Sequence, residues 1–502
     1  MEKPDNQFEQ NVERVEWLLL IVATVFLLLN TFTTTRIDND KSRMATVDSL
    51  VKRGTWVIEE SRFHKTDTPV GTIIDKVQID GHFYSSKPPV FPFLMAGEYW
   101  VLHKFGLDFE DDDQLRFLVW ILTFTFTGIP FLLIGLLFKI SARWFIEDPL
   151  IRLVGLFTIL WGNELMGFAQ TVNNHVPAAF LFFAAMVGGL GLVHGKLQPK
   201  PIHFIWTGLA AGLLPTVDIP ACFFCVPLWI YLVRAFPTKT LIWFTLGAAP
   251  PLVLHFILNY KISGGLLPFY LNDEYYQWQG SYWDRKMAMD AAGEYETRHV
   301  NFFHSTVGRK GLFSLYPVLI FSAVYVLWCL SRTRPRLDRV IGILYLAVIP
   351  ALGYVAWAYN QDIRVSHHIS LVYYMLFAFI PFFVAAYLLT SLKKDVGDRP
   401  PALALEGITM GALTLMWLIF YCLMRDNYGG SATGYRWFMF FVPSLQFFGI
   451  LALAHFKSRG AWLVACILIG LSFYASWQAT VQPWSMNYDW PTRFLGGWIT
   501  RF

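Results

Sequence analysis

Charge is scarce in this chain. Only 15% of its 502 residues are charged, against about 25% in a soluble globule, which argues against a protein surrounded by water. Hydrophobic residues make up 55% and aromatics 17%, and apolar runs of span length recur, so the chain reads as an integral membrane protein. The net charge of +4 is small and dispersed. With no basic block, no nucleic-acid partner is expected. All five cysteines lie in or beside apolar runs, which leaves no disulfide framework. Cys222-Phe-Phe-Cys225 has the spacing of a redox or zinc half-site but lacks a second pair, so buried thiols are the better reading. No small-residue cleavage pattern follows the run Trp17–Thr31, which is therefore expected to remain as a first span. No internal repeat stands out, and with it goes the signature of inverted-repeat transporters.

Candidate spans fall near 17–35, 116–140, 150–169, 176–194, 203–216, 219–235, 240–260, 312–331, 339–358, 369–391, 403–424, 436–456 and 461–479. The expected fold class is an all-α polytopic membrane protein with about 13 transmembrane helices. The pair at 203–235 is short and reads as a hairpin that crosses incompletely. With the N-terminus inside, sixteen Lys and Arg, from Lys139 to Arg459, fall in inner loops, while short outer loops hold only Arg364, Arg425 and Arg436. The first sixteen residues, net acidic, are the one place that disagrees. The organisation expected is a cytoplasmic N-terminus (1–16), a transmembrane domain (17–479) and an extracytoplasmic tail (480–502). Two long extracytoplasmic loops, 36–115 and 261–311, interrupt the transmembrane domain.

The first long polar segment, Arg36 to Pro89, carries the richest pattern. Asp38, Asn39 and Asp40 precede a helical run that ends at Gly54, in which Met44, Val47 and Val51 share a face with Asp40. The periodicity predicts an amphipathic helix along the membrane surface. Asp and Gly are also favoured helix caps, which explains one aspartate but not a pair. Further on, Asp80-Gly81-His82-Phe83-Tyr84-Ser85-Ser86-Lys87-Pro88-Pro89 ends in a proline pair. Pro88 pushes Lys87 into extended backbone, and the prolines can open a following surface helix. An exposed ammonium held there suits a phosphate at headgroup depth; a snorkelling lysine is the plainer alternative.

Segment 261–311 mixes aromatic and polar residues that suit sugar faces or a membrane interface, and His304 and Arg309 close it. Zinc on Asp80, His82 and His304 is conceivable but not demanded by spacing. Asn174 and His175 lie in a short outer turn, where Asn174 can cap the next helix. Arg436 opens a late span from the outside, after Gly429, Gly430 and Gly434; it can fork onto a phosphate or anchor the interface.

Together these pieces resemble the C-type (GT-C) membrane glycosyltransferase superfamily, in the branch of protein O-mannosyltransferases and the lipid A aminoarabinose transferase. Asp40-Lys-Ser-Arg43-Met44-Ala45 is similar to that branch's D-x-x-R-(Y/M)-A after the first span. Tyr84-Ser-Ser-Lys87-Pro88-Pro89 is similar to its Lys-Pro, and Gly434-Tyr435-Arg436 to its Gly-x-Arg. The resemblance implies Asp40 as catalytic base, with Asp38 its neighbour, and Lys87, Arg436 and Arg43 at the donor phosphate. Tyr84, His82, His304, Arg309, Asn174 and His175 are expected to contact substrate. It implies a polyprenyl-phosphate sugar donor among membrane lipids, an unspecified acceptor hydroxyl, and a bacterial inner-membrane location with a periplasmic site. Ser86 stands where the aminoarabinose enzymes carry an acidic residue, which argues against a metal site shared with that position; a divalent metal is otherwise compatible with the sequence but not required by it.

Transfer from such a donor needs a carboxylate to take the acceptor proton and cations to stabilise the leaving phosphate. One base and direct displacement would invert the sugar. The alternatives are a transporter or flippase of lipid-linked or small solutes, and a ligase using a diphosphate-linked oligosaccharide. A transporter should hold charges near the midplane, whereas Glu164 and Asp218 lie near span ends. The charge asymmetry predicts that single cysteines at Ser61 and Ser281, in segments 36–115 and 261–311, are labelled by an impermeant maleimide from the same, extracytoplasmic side. Labelling from opposite sides would contradict the architecture.

Overall fold

A computed structural model describes residues 6–64, 73–283, 302, 305–308, 310–333, 371–396, 401–424 and 432–484. The described chain is mostly helical, with one two-stranded sheet. Six of its helices are long and apolar enough to cross a membrane: Asp112–Phe145, His175–Val193, Pro237–Ser263, Ala404–Leu423, Arg436–Leu453 and Arg459–Val481. Four shorter apolar helices lie between them, and the expected short pair is among these, at Pro201–Val217 and Ile219–Ala235. The expected span at 339–358 lies outside the described residues. The first expected span is helix α1, Asn6–Asn30. It is not one of the six, because it stops at Asn30 and its uncharged stretch falls short of the ~20 residues a crossing requires.

The chain divides into two compact units, one comprising Met1–Ala23, Gly135–Gly167 and Gly293–Phe502, the other Thr24–Ile134 and Phe168–Ala292. In the first unit, the start of α1 pairs with basic residues of α5 (Ile129–Phe145) and α6 (Pro149–Trp161). Lys139 lies 3.1 Å from Glu13 and 3.5 Å from Glu16, Arg143 lies 3.0 Å from Glu16, and Arg152 lies 2.8 Å from Glu9. Glu9, Glu13 and Glu16 recur at helical spacing, so one face of α1 meets these cations. This accounts for the acidic N-terminus that disagreed with the loop charges: its carboxylates are partners of Lys139, Arg143 and Arg152.

The second unit opens with α2, Asp38–Arg53. Its C-terminus is the expected one, with Gly54 at φ 64° and its amide bonded to the Ser49 carbonyl. Its setting is not. Residues Asn39 to Ser49 are buried with the exception of Lys41, so protein surrounds α2 and it does not lie on a lipid surface. Too few of its residues are apolar to face hydrocarbon, and its serines and threonines hydrogen-bond inside the unit. Ser42 Oγ donates to the Asp75 carbonyl at 2.6 Å and meets Ser85 Oγ at 2.6 Å. The apolar surface helix is instead α3, Val90–Lys104, which buries Phe91, Met95 and Tyr99 while exposing Phe93, Leu94, Trp100 and Val101.

Between α2 and α3 lies a hairpin of β1 (Lys76–Ile79) and β2 (His82–Ser85), in register Val77 to Tyr84. Asp80 and Gly81 form its two-residue turn at φ 50° and 84°. Asp-Gly between alternating Val-Gln-Ile and Phe-Tyr-Ser is a strong hairpin signal, and the sequence reading passed over it. Ser61 and Ser281 are buried, so probes of these loops belong at exposed Glu60 and Gln279.

The scaffold of this unit depends on close contact between α9 (Pro201–Val217) and the helix run Pro237–Ser263, whose last part is α12 (Thr245–Ser263). Gly208 and Gly212 form a small-xxx-small face of the type that lets backbones approach. A Cβ on Gly208 would stand 2.1 Å from the Phe244 carbonyl oxygen, and one on Gly247 2.1 Å from that of Ile205. Backbone cannot step aside as a side chain can. Gly208→Ala and Gly247→Ala are each expected to destabilise the purified protein by about 1–3 kcal/mol, read as lower thermal midpoints. Leu209→Ala should serve as the control for loss of apolar area alone. Unchanged midpoints for both glycine variants would show that the two helices are not held at this separation.

Candidate functional site

The candidate site is built around the first turn of α2. Ile37, not an aspartate, occupies the N-cap, and Asp38 and Asp40 are the first and third helical residues. Asp40 folds back on the chain entering the helix. Its Oδ1 accepts from the Ile37 amide at 2.8 Å and the Lys41 amide at 3.0 Å; its Oδ2 accepts from the Arg36 amide at 2.7 Å and Thr171 Oγ1 at 3.3 Å. The carboxylate thus does the reaching-back half of a capping box, which satisfies amides that have no helical partner. The side chain is 1% exposed. Burial pushes its pKa up to about 6, and the four donors pull against that rise. A carboxyl poised there exchanges a proton close to neutral pH.

Arg43 lies one turn along α2, also 1% exposed, with its guanidinium near the Phe91 ring. Nη1 donates to the Asn39 carbonyl at 3.0 Å and to the Asn39 side chain, and Nη2 donates to Asn174 Oδ1 at 2.7 Å. A direct contact with a donor phosphate would require it to leave these partners. Asn174 stands at the N-cap of α8 (His175–Val193) yet makes no capping bond. Asn173 does that work, its Oδ1 accepting from the His175 amide at 2.9 Å and the Val176 amide at 3.0 Å. The Asn174 amide is thereby released to bridge Arg43 and Asp218, whose Oδ2 accepts from Asn174 Nδ2 at 3.1 Å and from His175 Nδ1 at 3.2 Å. Asp218 was read in the sequence only as a charge near a span end; no motif marks it.

Lys87 is less exposed than expected, its side chain 16% accessible, and Nζ lies 2.9 Å from Asp75 Oδ2. Burial raises the pKa of Asp38, the nearby Lys41 lowers it, and the Asp75 charge raises it further. Asp38, Lys41, Asp75 and Lys87 therefore form one half-buried charged group beside the start of α2. Lys87 also lines a small, partly open hollow of about 10 Å³ with Thr46, Trp56, Tyr84, Ser85, Pro89, Pro92, Ile262 and Phe269. Its walls are mostly aromatic and apolar with two aliphatic hydroxyl residues, and the ammonium is the one cation among the described residues that line it. Ser42 links the two halves of the site, since it sits two residues past Asp40 and bonds the Asp75 carbonyl.

Other expected residues fall elsewhere. His82 is exposed on the hairpin, 3.5 Å from Glu59 Oε1. His304 and Arg309 lie outside the described residues. Arg436 belongs to the first unit, where its guanidinium lies 5.5 Å from the Trp484 ring centre. The preceding Gly434, at φ 75°, brings the turn against Tyr316 and the buried Glu164. All five cysteines are free; Cys222 and Cys225 are half-buried rather than buried, and Cys225 Sγ donates to the Ala211 carbonyl at 3.1 Å. Among the described residues no three His, Cys, Asp or Glu side chains gather as a metal site. No family model matches the chain, and no curated protein matches it.

The geometry changes what an amide at position 40 would do. At an N-cap, Asn serves about as well as Asp. Here both carboxylate oxygens accept from backbone amides, and an Asn NH₂ would face one of those N–H groups. Asp40→Asn is therefore expected to lose about 1–3 kcal/mol through an unsatisfied buried amide, read as a lower thermal midpoint. Asp38→Asn, at a half-exposed side chain, should stay near wild type. Equal midpoints for the two variants would remove Asp40 from its structural role.

Proposed function

We propose that the chain is a glycosyltransferase that moves a sugar from a polyprenyl-phosphate donor to an acceptor hydroxyl. In this reading it has a C-type architecture of about 13 spans, and its site faces the extracytoplasmic side of a bacterial inner membrane. The observation that carries the reading is Asp40. It is a buried carboxyl whose proton affinity is raised to about 6, one turn from Arg43 and bridged by Ser42 to the strap that holds Lys87. The order of these residues along the chain is the one the resemblance implies.

The chemistry assigns each group a task. The acceptor oxygen attacks the anomeric carbon as the bond from that carbon to the lipid phosphate breaks, and the acceptor proton passes to Asp40. The longest of the four bonds to Asp40, from Thr171 Oγ1 at 3.3 Å, is the one an acceptor hydroxyl can replace. Lys87 holds the leaving phosphate from the rim of the hollow, where its ammonium lies 2.9 Å from Asp75 Oδ2. Arg436, in the other unit, keeps the phosphate role that the resemblance implies. Direct displacement inverts the anomeric configuration. Asp40, Arg43 and Lys87 belong to one helix entrance and the chain beside it rather than to the middle of a span, which favours surface chemistry over transport.

Purified protein in nanodiscs, given radiolabelled undecaprenyl-phosphate mannose and cell-envelope acceptor, should transfer label with kcat/KM rising through an apparent pKa of about 6. The sign follows from the role, because the base must be ionised and its rate is lost as pH falls through that value. Lys87→Ala and Arg436→Ala should each weaken donor use by about 1.5–3 kcal/mol, the size of a charge-assisted contact, with folding retained. Unchanged donor kinetics in both variants would remove these cations from the site. Absence of transfer across a panel of polyprenyl-phosphate sugars would contradict the reading itself.

A further inference from the structure

The break between α9 and α10 (Cys222–Ala235) carries a carboxylate that the proposed chemistry does not use. Asp218 follows the last residue of α9 in extended backbone and makes no side-chain cap to the short turn Ile219–Ala221. Local backbone therefore does not explain it. Its Oδ2 instead accepts from two side chains of another element, Asn174 and His175. A carboxylate only accepts, so His175 is held with a proton on Nδ1. The opposite end of the Asn174 amide accepts from Arg43. One side-chain amide thus joins a buried guanidinium to a carboxylate whose side chain is 12% exposed, and each hydrogen bond along the path runs from donor to acceptor in the same direction.

Electrostatics gives this path a purpose. A buried cation is tolerated where an opposite charge and hydrogen bonds compensate for lost hydration. Arg43 sits in α2 among buried residues, and Asp218 lies two hydrogen bonds away. Tyr270 provides a second mark of this carboxylate. Its ring is buried, and its hydroxyl makes no hydrogen bond among the described residues. Burial, and then the charge of Asp218, push its phenol well above the usual range. Asp218 is thus faced by Asn174, His175 and Tyr270, with Arg43 beyond the bridging amide.

We propose that Asp218 is a positioning residue: it is the countercharge of Arg43, acting through Asn174, and it holds the first turns of α2 against the α8 entrance. The charge pairing stands on the geometry alone. Its consequence for catalysis rests on the reading of Asp40 as base, because Arg43 and Asp40 share those turns.

The test relocates the charge. Thermal midpoints of the full chain in nanodiscs are measured for wild type, Asp218→Asn, Asn174→Asp and the double variant Asn174→Asp/Asp218→Asn. Asp218→Asn should lower the midpoint by several degrees. The double variant keeps the number of charges and brings the carboxylate directly to Arg43, so it should recover most of the loss. A second cycle with Arg43→Met should show that removing both charges costs less than the sum of the single removals. An Asp218→Asn variant that fails to fold while the relocated double folds supports the pairing. A double variant no better than Asp218→Asn, or strict additivity with Arg43→Met, overturns it. In the undecaprenyl-phosphate mannose assay, Asp218→Asn should lower kcat at least tenfold and relocation should restore it, which a merely packed side chain would not do. A wild type without transfer would sink the enzymatic reading and leave the stability cycles to decide the charge pair.

Discussion

The second unit depends on one carboxylate. Asp40 gathers two amides from the chain entering α2, the Lys41 amide within it and a hydroxyl from the turn before α8. The Arg36 and Ile37 amides lie where a helix has no partners of its own to offer. Without a buried acceptor the entrance could not pack inside protein. The same four bonds are what an ionised carboxylate prefers, and burial is what it resists. The opposing effects leave its proton affinity raised, near the range a general base needs. Structural need and chemical readiness are two results of one placement, and a substitution at this position disturbs both.

From Asp40 the order spreads along α2. Arg43 reaches Asn174, which is available because Asn173 caps α8 in its stead. Ser42 reaches the strap that carries Asp75 and Lys87. Behind these, glycine contacts hold α9 close to Phe244 and to Gly247 of α12, which keeps the break containing Asp218 in place. The polar layer therefore rests on a backbone-to-backbone contact that no side-chain adjustment can relieve.

Much of this was legible in the sequence, for physical reasons. Apolar run length announces spanning helices, and Gly54 announced the end of α2 because a left-handed cap needs glycine. Motif order marks Asp40, Arg43 and Lys87, a short outer turn marks Asn174, and the structure places all four in one unit. The setting of α2 was misread because periodicity shows which residues share a face, not whether lipid or protein covers it. Lys87 was expected to be exposed because its partner Asp75 precedes the hairpin, and the hairpin brings them together. Asp218 gave no signal, since its role arises from a contact with Asn174 far off in the chain. Arg436 lies in the other unit, and His304 and Arg309 lie outside the described residues.

The account places donor chemistry at the entrance of α2, beside the Lys87 strap. The most direct measurement is an experimental structure of the purified protein in nanodiscs with undecaprenyl phosphate bound. The account predicts the phosphate within hydrogen-bonding distance of Lys87 Nζ, at the hollow lined by Tyr84 and Trp56, with the prenyl chain leaving along the exposed face of α3. A phosphate bound elsewhere, with Lys87 still paired to Asp75 and the hollow unchanged, would contradict it.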